Sequence, residues 1–147
     1  MNSNVRELRN ALGRFATGVC VVTAGEGDIT PFGMTVNSFA SLSLDPPLVI
    51  WSIGKASDCF ERFQELNRYA INILRDDQQP LSDRYAKSGE HDLMESDWAS
   101  GKTDCPVLES SLATFECIIE SRIDGGDHVI LVGRVDAFNY REEGKPL

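Results

Sequence analysis

The chain has four cysteines in 147 residues, none of them in a Cys-x-x-Cys pair, and only two histidines, His91 and His128. Those scarcities remove whole classes of chemistry. Zinc sites built from paired Cys and His ligands have nothing to draw on, and no Gly-x-Ser-x-Gly turn is present to raise a nucleophilic serine. Cys20 and Cys117 fall inside apolar runs, and cysteines scattered in this way are expected to be buried free thiols. Basic residues are also few: 14 Lys and Arg against 23 Asp and Glu give a net charge of -9 and a pI near 4.6. So acidic a chain argues against nucleic acid or an anionic membrane as partner, although a few local cations and backbone donors still suffice to hold a phosphate. The longest apolar run, around Leu48 to Ile53, falls far short of a membrane span, and the opening Met1-Asn2-Ser3-Asn4-Val5-Arg6-Glu7 has no apolar signal core. The cytoplasm is the expected compartment, and 147 residues with 41% apolar content suit a single domain.

Periodicity supplies the elements. Val5, Leu8, Leu12 and Phe15 recur at helical spacing behind Asn4, with Glu7 three residues on, which predicts a capped amphipathic helix packed as a lid. Gly18 to Thr23 reads as a buried strand, and Thr30 to Val36 answers it across the turn-rich Ala24-Gly25-Glu26-Gly27-Asp28. Asn37-Ser38 interrupts that second strand. Ser41 to Leu44 and Leu48 to Ile53 follow as strands, joined by Asp45-Pro46-Pro47, which is expected to forbid regular pairing there. Ser57 or Asp58 is placed to cap a helix bearing Phe60, Phe63 and Leu66. Tyr69, Ile71 and Ile73 then alternate along a strand against Ala70, Asn72 and Leu74, and Pro80 opens a short helix carrying Leu81 and Tyr85. Residues 86 to 103 form a long polar excursion with Trp98 as its one large anchor. Leu112 to Glu120 and His128 to Val135 close the chain as strands joined through Asp124-Gly125-Gly126-Asp127. Six or seven mostly antiparallel strands with three peripheral helices predict a mainly β fold, and the absence of βαβ alternation favours a closed or nearly closed barrel.

One stretch, Gly33 to Val49, sets Thr35, Asn37, Ser38, Ser41 and Ser43 among apolar strand residues without a single charge before Asp45. It reads either as the solvent face of edge strands or as a wall for a flat polar ligand. Lys55 and Ser57 at a predicted helix start, and Arg84 on the next helix, are candidate phosphate contacts, although each alone is more often a surface residue. His128 stands at the mouth of a strand, where the plain reading is a turn histidine bonded to Asp127.

Taken in order, Leu12-Gly13-Arg14-Phe15-Ala16-Thr17-Gly18-Val19 with Val22-Thr23, the Gly33 to Val49 stretch, Leu81-Ser82-Asp83-Arg84-Tyr85, Cys105-Pro106-Val107-Leu108 and Gly125-Gly126-Asp127-His128 resemble the flavin reductase-like family of FMN-binding split barrels. The resemblance implies a homodimeric, six-stranded antiparallel split barrel that binds FMN or FAD and takes hydride from NADH or NADPH. It also implies a partner, a flavin-dependent oxygenase component that receives the reduced flavin. By the same similarity, Thr35, Val36, Asn37, Ser38 and Ser41 line the isoalloxazine and ribityl chain, with Ser52 and Ile53 on the neighbouring strand. Lys55, Ser57, Arg84 and Tyr85 lie toward the phosphate, and His128 faces the nicotinamide. Family members usually run on past the equivalent of Lys145-Pro146-Leu147 into a segment with aromatic and glycine residues, which this chain is expected to lack. A flavin-binding carrier or redox sensor without NAD(P)H turnover is the alternative function.

Overall fold

Alternation along the strands decides which side chains meet, and the computed structural model, which describes residues 3–147, shows the outcome. In chain order the elements are α1 (Ser3–Leu12), β1 (Cys20–Ala24), β2 (Phe32–Val36), β3 (Ala40–Leu44), β4 (Pro47–Gly54), α2 (Phe60–Glu65), β5 (Arg68–Ile73), α3 (Gln79–Ala86), β6 (Ala99–Ser100), β7 (Pro106–Val107), β8 (Ala113–Gly125) and β9 (His128–Tyr140). One antiparallel sheet of seven strands runs β2-β1-β5-β8-β9-β4-β3, and β6 pairs with β7 apart from it. Among the described residues no helix is long and apolar enough to cross a membrane.

The sheet is curled. Trp51 on β4 and Tyr69 on β5 are separated by β8 and β9 in the sheet, yet their ring centroids lie 5.7 Å apart. Phe63 of α2 fills the space between them and β2, with its ring 5.0 Å from Trp51 and 5.2 Å from Phe32. Val22, Val49, Ile53, Ile71, Cys117 and Leu131 complete this buried core. The edge strands β2 and β3 do not pair with each other, so the sheet is not closed, where sequence patterning favoured a closed or nearly closed barrel.

The outer face of β1 and β5 is also covered, which explains why residues 69 to 72 of β5 are buried on both sides. Leu74, Tyr85 and Leu108 pack against Val21, while Cys105 and Val107 pack against Ala70. Asn72 fixes this cover: its amide nitrogen donates to the Val21 carbonyl and to Thr23 Oγ1, each at 2.9 Å, and its oxygen accepts the Leu108 N–H at 2.9 Å. Thr23 in turn donates to the Pro106 carbonyl at 2.5 Å. Buried groups so matched are costly to orphan. Asn72→Ala is therefore expected to lower unfolding stability by about 2–4 kcal/mol in urea titration, and a loss below about 1 kcal/mol contradicts the network.

Several local expectations are corrected. Helix α1 forms but buries none of its described residues, and Val5, Leu8, Leu12 and Phe15 are 46%, 59%, 65% and 80% exposed. Asn4 lies inside the helix rather than capping it. Asp45-Pro46 makes a tight turn through a cis peptide bond, and Leu44 pairs directly with Pro47, because a proline that opens a strand does not disrupt the ladder. Neither Ser57 nor Asp58 caps α2; the N-cap is Cys59, with no side-chain bond. The last two strands each run for 13 residues, longer than their apolar cores suggested, since mutual pairing carries them past those cores. All four cysteines are free and buried, and burial pushes each thiol up to about 12.

Candidate functional site

β4 sends Val49, Trp51 and Ile53 inward and leaves Ile50, Ser52 and Gly54 half-buried on the opposite face. In register beside them on β9 stand Val132, Ile130 and His128. Ser38 joins this face from the segment between β2 and β3: its hydroxyl accepts the Ser52 N–H at 3.0 Å and donates to the Ser52 carbonyl at 3.2 Å. The interruption at Asn37-Ser38 is thus what turns the chain onto β4. Asn37 and Ser41 are exposed, and Val36 packs half-buried against the core. Ile53 lies beside Ser52 on β4 with its side chain sealed in the core, so only its backbone can face a ligand there.

His128 closes one end of this face. Its Nδ1–H donates to Asp127 Oδ1 at 2.7 Å, a bond that holds the Asp127 carboxyl below its usual range. Nε2 lies on the Gly54 side, 3.6 Å from where a Cβ at that position would stand. The turn-histidine geometry is therefore present, and it leaves Nε2 free to meet a ligand. Lys55 belongs to this end too, since its N–H donates to the Asp127 carbonyl at 2.9 Å and its ammonium pairs with Asp124.

At the other end a cleft of about 270 Å³ opens between β2, the chain before α2 and the end of α3, bordered by Thr35, Ser57, Tyr85 and Ser88. Thr35 donates to the Ser82 carbonyl at 2.6 Å, which ties α3 to β2, and Ser57 Oγ accepts the Cys59 N–H at 3.2 Å, leaving its own proton available. Asp58 clasps the far wall: it accepts the Gly89 N–H at 2.5 Å and faces His91 Nε2 at 2.8 Å, while His91 Nδ1 donates to the Gly33 carbonyl at 3.0 Å. Donor atoms of Asp58, Cys59 and His91 lie within 4.8 Å of one another, but both ring nitrogens are spent on Asp58 and Gly33, so the group serves as a clasp.

The Gly89 bond, followed by His91, lowers the Asp58 carboxyl. A depressed folded-state value means the clasp is intact above the usual 3.8 and is lost as pH falls through the lower value. The Gly89 amide resonance should accordingly titrate with a midpoint below 3.8, and a midpoint at or above it contradicts the clasp.

The remaining candidates for a phosphate contact do not converge. Arg84 Nη1 donates to Asp97 Oδ2 at 2.6 Å, and the fully buried Tyr85 hydroxyl donates to the same oxygen at 2.5 Å. The Tyr85 side chain is thus buried at the border of the cleft that holds Thr35 and Ser57, with its hydroxyl committed to Asp97. Arg84 borders a separate cleft of about 490 Å³ shared with Arg62 and Lys87, and a third cleft of about 450 Å³ lies away from all of these residues, between Lys102 and Arg141. Sequence reasoning missed Asp97, one of several acids in the excursion that nothing local distinguishes. It also missed the Asp58–His91 clasp, whose partners are 33 positions apart.

The geometry is matched by kinship. The profile of the Flavin reductase like domain family matches residues 12–147, and the chain belongs to that family. It is 47% identical over 144 residues to the FMN reductase (NADH) SmoA of Agrobacterium fabrum, covering 98% of this chain and 81% of that protein. It is 41% identical over 136 residues to the reductase component of the flavin-dependent trigonelline monooxygenase of Acinetobacter baylyi, covering 92% of this chain but only 44% of that relative. Among solved structures, the NADH:FAD oxidoreductase SgcE6 of Streptomyces globisporus, in complex with NAD and FAD fragments, superposes with a TM-score of 0.89 at 34% identity, covering 97% of this chain and 86% of the other.

Proposed function

We propose that the chain is an NAD(P)H-dependent flavin reductase that passes hydride from NADH or NADPH to FMN or FAD and supplies the reduced flavin to a flavin-dependent oxygenase component. The observation that carries this reading is the half-buried, uncharged face of β4, with Ser38 and Ser52 at its centre and His128 across Gly54. Such a face fits a flat ring with polar edges: Ile50 and Ile130 give it apolar surface, and the exposed Asn37 and Ser41 side chains offer donors and acceptors beside it.

A bound flavin supplies the hydride-accepting chemistry, so the protein's task is to bind and orient. Asn37, Ser38 and Ser41 present hydrogen bonds to the ring edge, and Thr35 and Ser57 present hydroxyls toward the ribityl and phosphate end. Asp127 fixes the His128 imidazole so that Nε2 is directed to the nicotinamide carboxamide; His128 acts by positioning and moves no proton.

The curled sheet is read as the family's six-stranded split barrel with β3 added at its edge. All six other strands of the sheet contribute to the buried core, and β3 does not. The exposed apolar side of α1 supports a homodimer in which a second copy covers it. Four free thiols suit a reducing compartment and so the cytoplasm.

Trp51, directly beside Ser52, is a built-in reporter. Titrating FMN or FAD should quench its fluorescence, and adding NADH or NADPH should give steady nicotinamide oxidation. Quenching without oxidation marks a flavin carrier or redox sensor instead, and neither response removes the reading.

A further inference from the structure

The cleft of about 450 Å³ between Lys102 and Arg141 plays no part in the reductase reading, yet it gathers polar groups that the fold leaves unused. We propose that it is a binding site for a small aromatic monocarboxylate, separate from the β4–β9 face and standing whether or not that face takes flavin.

The walls are firmly built. Thr114 of β8 pairs in register with Asn139 of β9 on the face that carries Asn72, and the two floor the cleft at the end of β9 remote from His128. Glu116, 4% exposed, holds the loop on one side: Oε2 accepts the Lys102 N–H at 3.0 Å, and Oε1 accepts the Thr103 N–H at 2.8 Å and the Thr103 hydroxyl at 2.6 Å. Gly101 lies directly on that carboxylate, where an added Cβ would stand 2.5 Å from Oε1. On the other side Arg141 donates through Nε to the Ser111 carbonyl and through Nη2 to the Glu109 carbonyl, each at 3.2 Å.

These groups have capacity to spare. The Lys102 ammonium donates to the Phe138 carbonyl at 3.2 Å, so both cations bond only to backbone oxygens, and neither joins an ion pair among the described residues. The Thr114 hydroxyl and the Asn139 side-chain amide have no partner among those residues either. Ser111 carries the argument furthest. It borders the cleft at 4% exposure, and its hydroxyl bonds to nothing in the described chain. A buried hydroxyl left so is costly, and a ligand oxygen in the cleft would satisfy it.

The lining also selects the ligand. Two cations and a free hydroxyl favour an anionic oxygen, since bonds to a charged acceptor are the strong ones. Glu109 and Glu116 border the same space and oppose a second negative charge, which favours a carboxylate over a phosphate dianion. Buried Val107 and the exposed ring of Tyr140 give apolar surface for a flat body, and the volume suits a small molecule.

The test uses the full chain labelled with ¹⁵N, titrated with benzoate, with benzamide as its neutral counterpart, and with inorganic phosphate. Benzoate should shift the amide resonances of Ser111, Thr114 and Asn139 saturably, with a Kd of about 0.1–5 mM, and benzamide and phosphate should bind at least about fivefold more weakly. K102Q and S111A should each weaken benzoate about three- to tenfold. Lys102 is exposed, so K102Q keeps the comparison available should S111A fail to fold.

No saturable shift with benzoate, or shifts centred on Ser52 and His128 instead, overturns the proposal. Benzamide binding as tightly as benzoate shows that no charge is read, and phosphate binding as tightly shows that no apolar body is read; either overturns it as well. So does benzoate affinity unchanged in K102Q.

Discussion

Replacing His128 with alanine should lower kcat/KM for NADH or NADPH by about ten- to a hundredfold while leaving FMN affinity within about twofold. The expectation comes from where the ring stands. His128 opens β9, pairs in register with Gly54, and lays its imidazole against that glycine, so the residue on the paired strand leaves room for it. Asp127 accepts the hydrogen bond from Nδ1–H, and the side chain is half exposed, which leaves Nε2 directed to an incoming ligand. A group that places the nicotinamide affects its binding and its angle of approach; a group that transfers protons affects the pH profile of kcat. The loss should therefore fall largely on KM for the nicotinamide, with the pH dependence of kcat retained. Unchanged nicotinamide KM and kcat in a folded His128→Ala protein would remove the residue from the site.

Gly133→Ala should cost about 3 kcal/mol of stability, among the largest effects of any single methyl in the chain. Gly133 lies in β9 between Val49 of β4 and Ile119 of β8, and its open Cα face is where Tyr69 fits. A Cβ there would stand 2.8 Å from Tyr69 Cζ and 3.0 Å from Cys117 Cβ, with the Tyr69 oxygen closer still. Tyr69 has no room to retreat, because it is fully buried and packs edge-on against Trp51. The extra methyl must force the curled sheet apart or push two aromatic rings off their rotamers. Chemical denaturation measures the cost. Gly18→Ala, where nothing lies within 4 Å of the added carbon, provides the control and should stay within about 0.5 kcal/mol of wild type. A Gly133→Ala loss below about 1 kcal/mol contradicts the packing described here.

Much of the sheet was legible because its signals are local. The apolar run Leu48 to Ile53 is visible in the chain as a strand and lies within β4. The Gly126-Asp127 turn announces the β8–β9 hairpin, and Pro80 opens α3 as a first-turn proline. The break at Asn37-Ser38 was legible as an interruption; that it turns Ser38 onto Ser52 was not. The same limit explains the phosphate-end assignments. Lys55 and Arg84 are cations of the right type, but their charges are answered by Asp124 and Asp97, 69 and 13 residues away, and no spacing rule predicts those encounters. Ile53 lies on the expected strand, and as a strand neighbour of Ser52 its side chain necessarily points to the other face. Helix α1 has the amphipathic pattern of a packed element, but a pattern states that a face seeks cover and not which chain supplies it.

The central claim is that this chain's β4–β9 face brings flavin and nicotinamide together for hydride transfer. Anaerobic mixing of the protein and FMN with NADH, and with NADH deuterated at the transferred C4 position, tests it most directly. The flavin should bleach, more slowly with the deuterium label where hydride transfer limits the rate, and reduced FMN should be recoverable from the filtrate when the protein is removed. Flavin that binds and stays oxidised in the presence of both NADH and NADPH would contradict it.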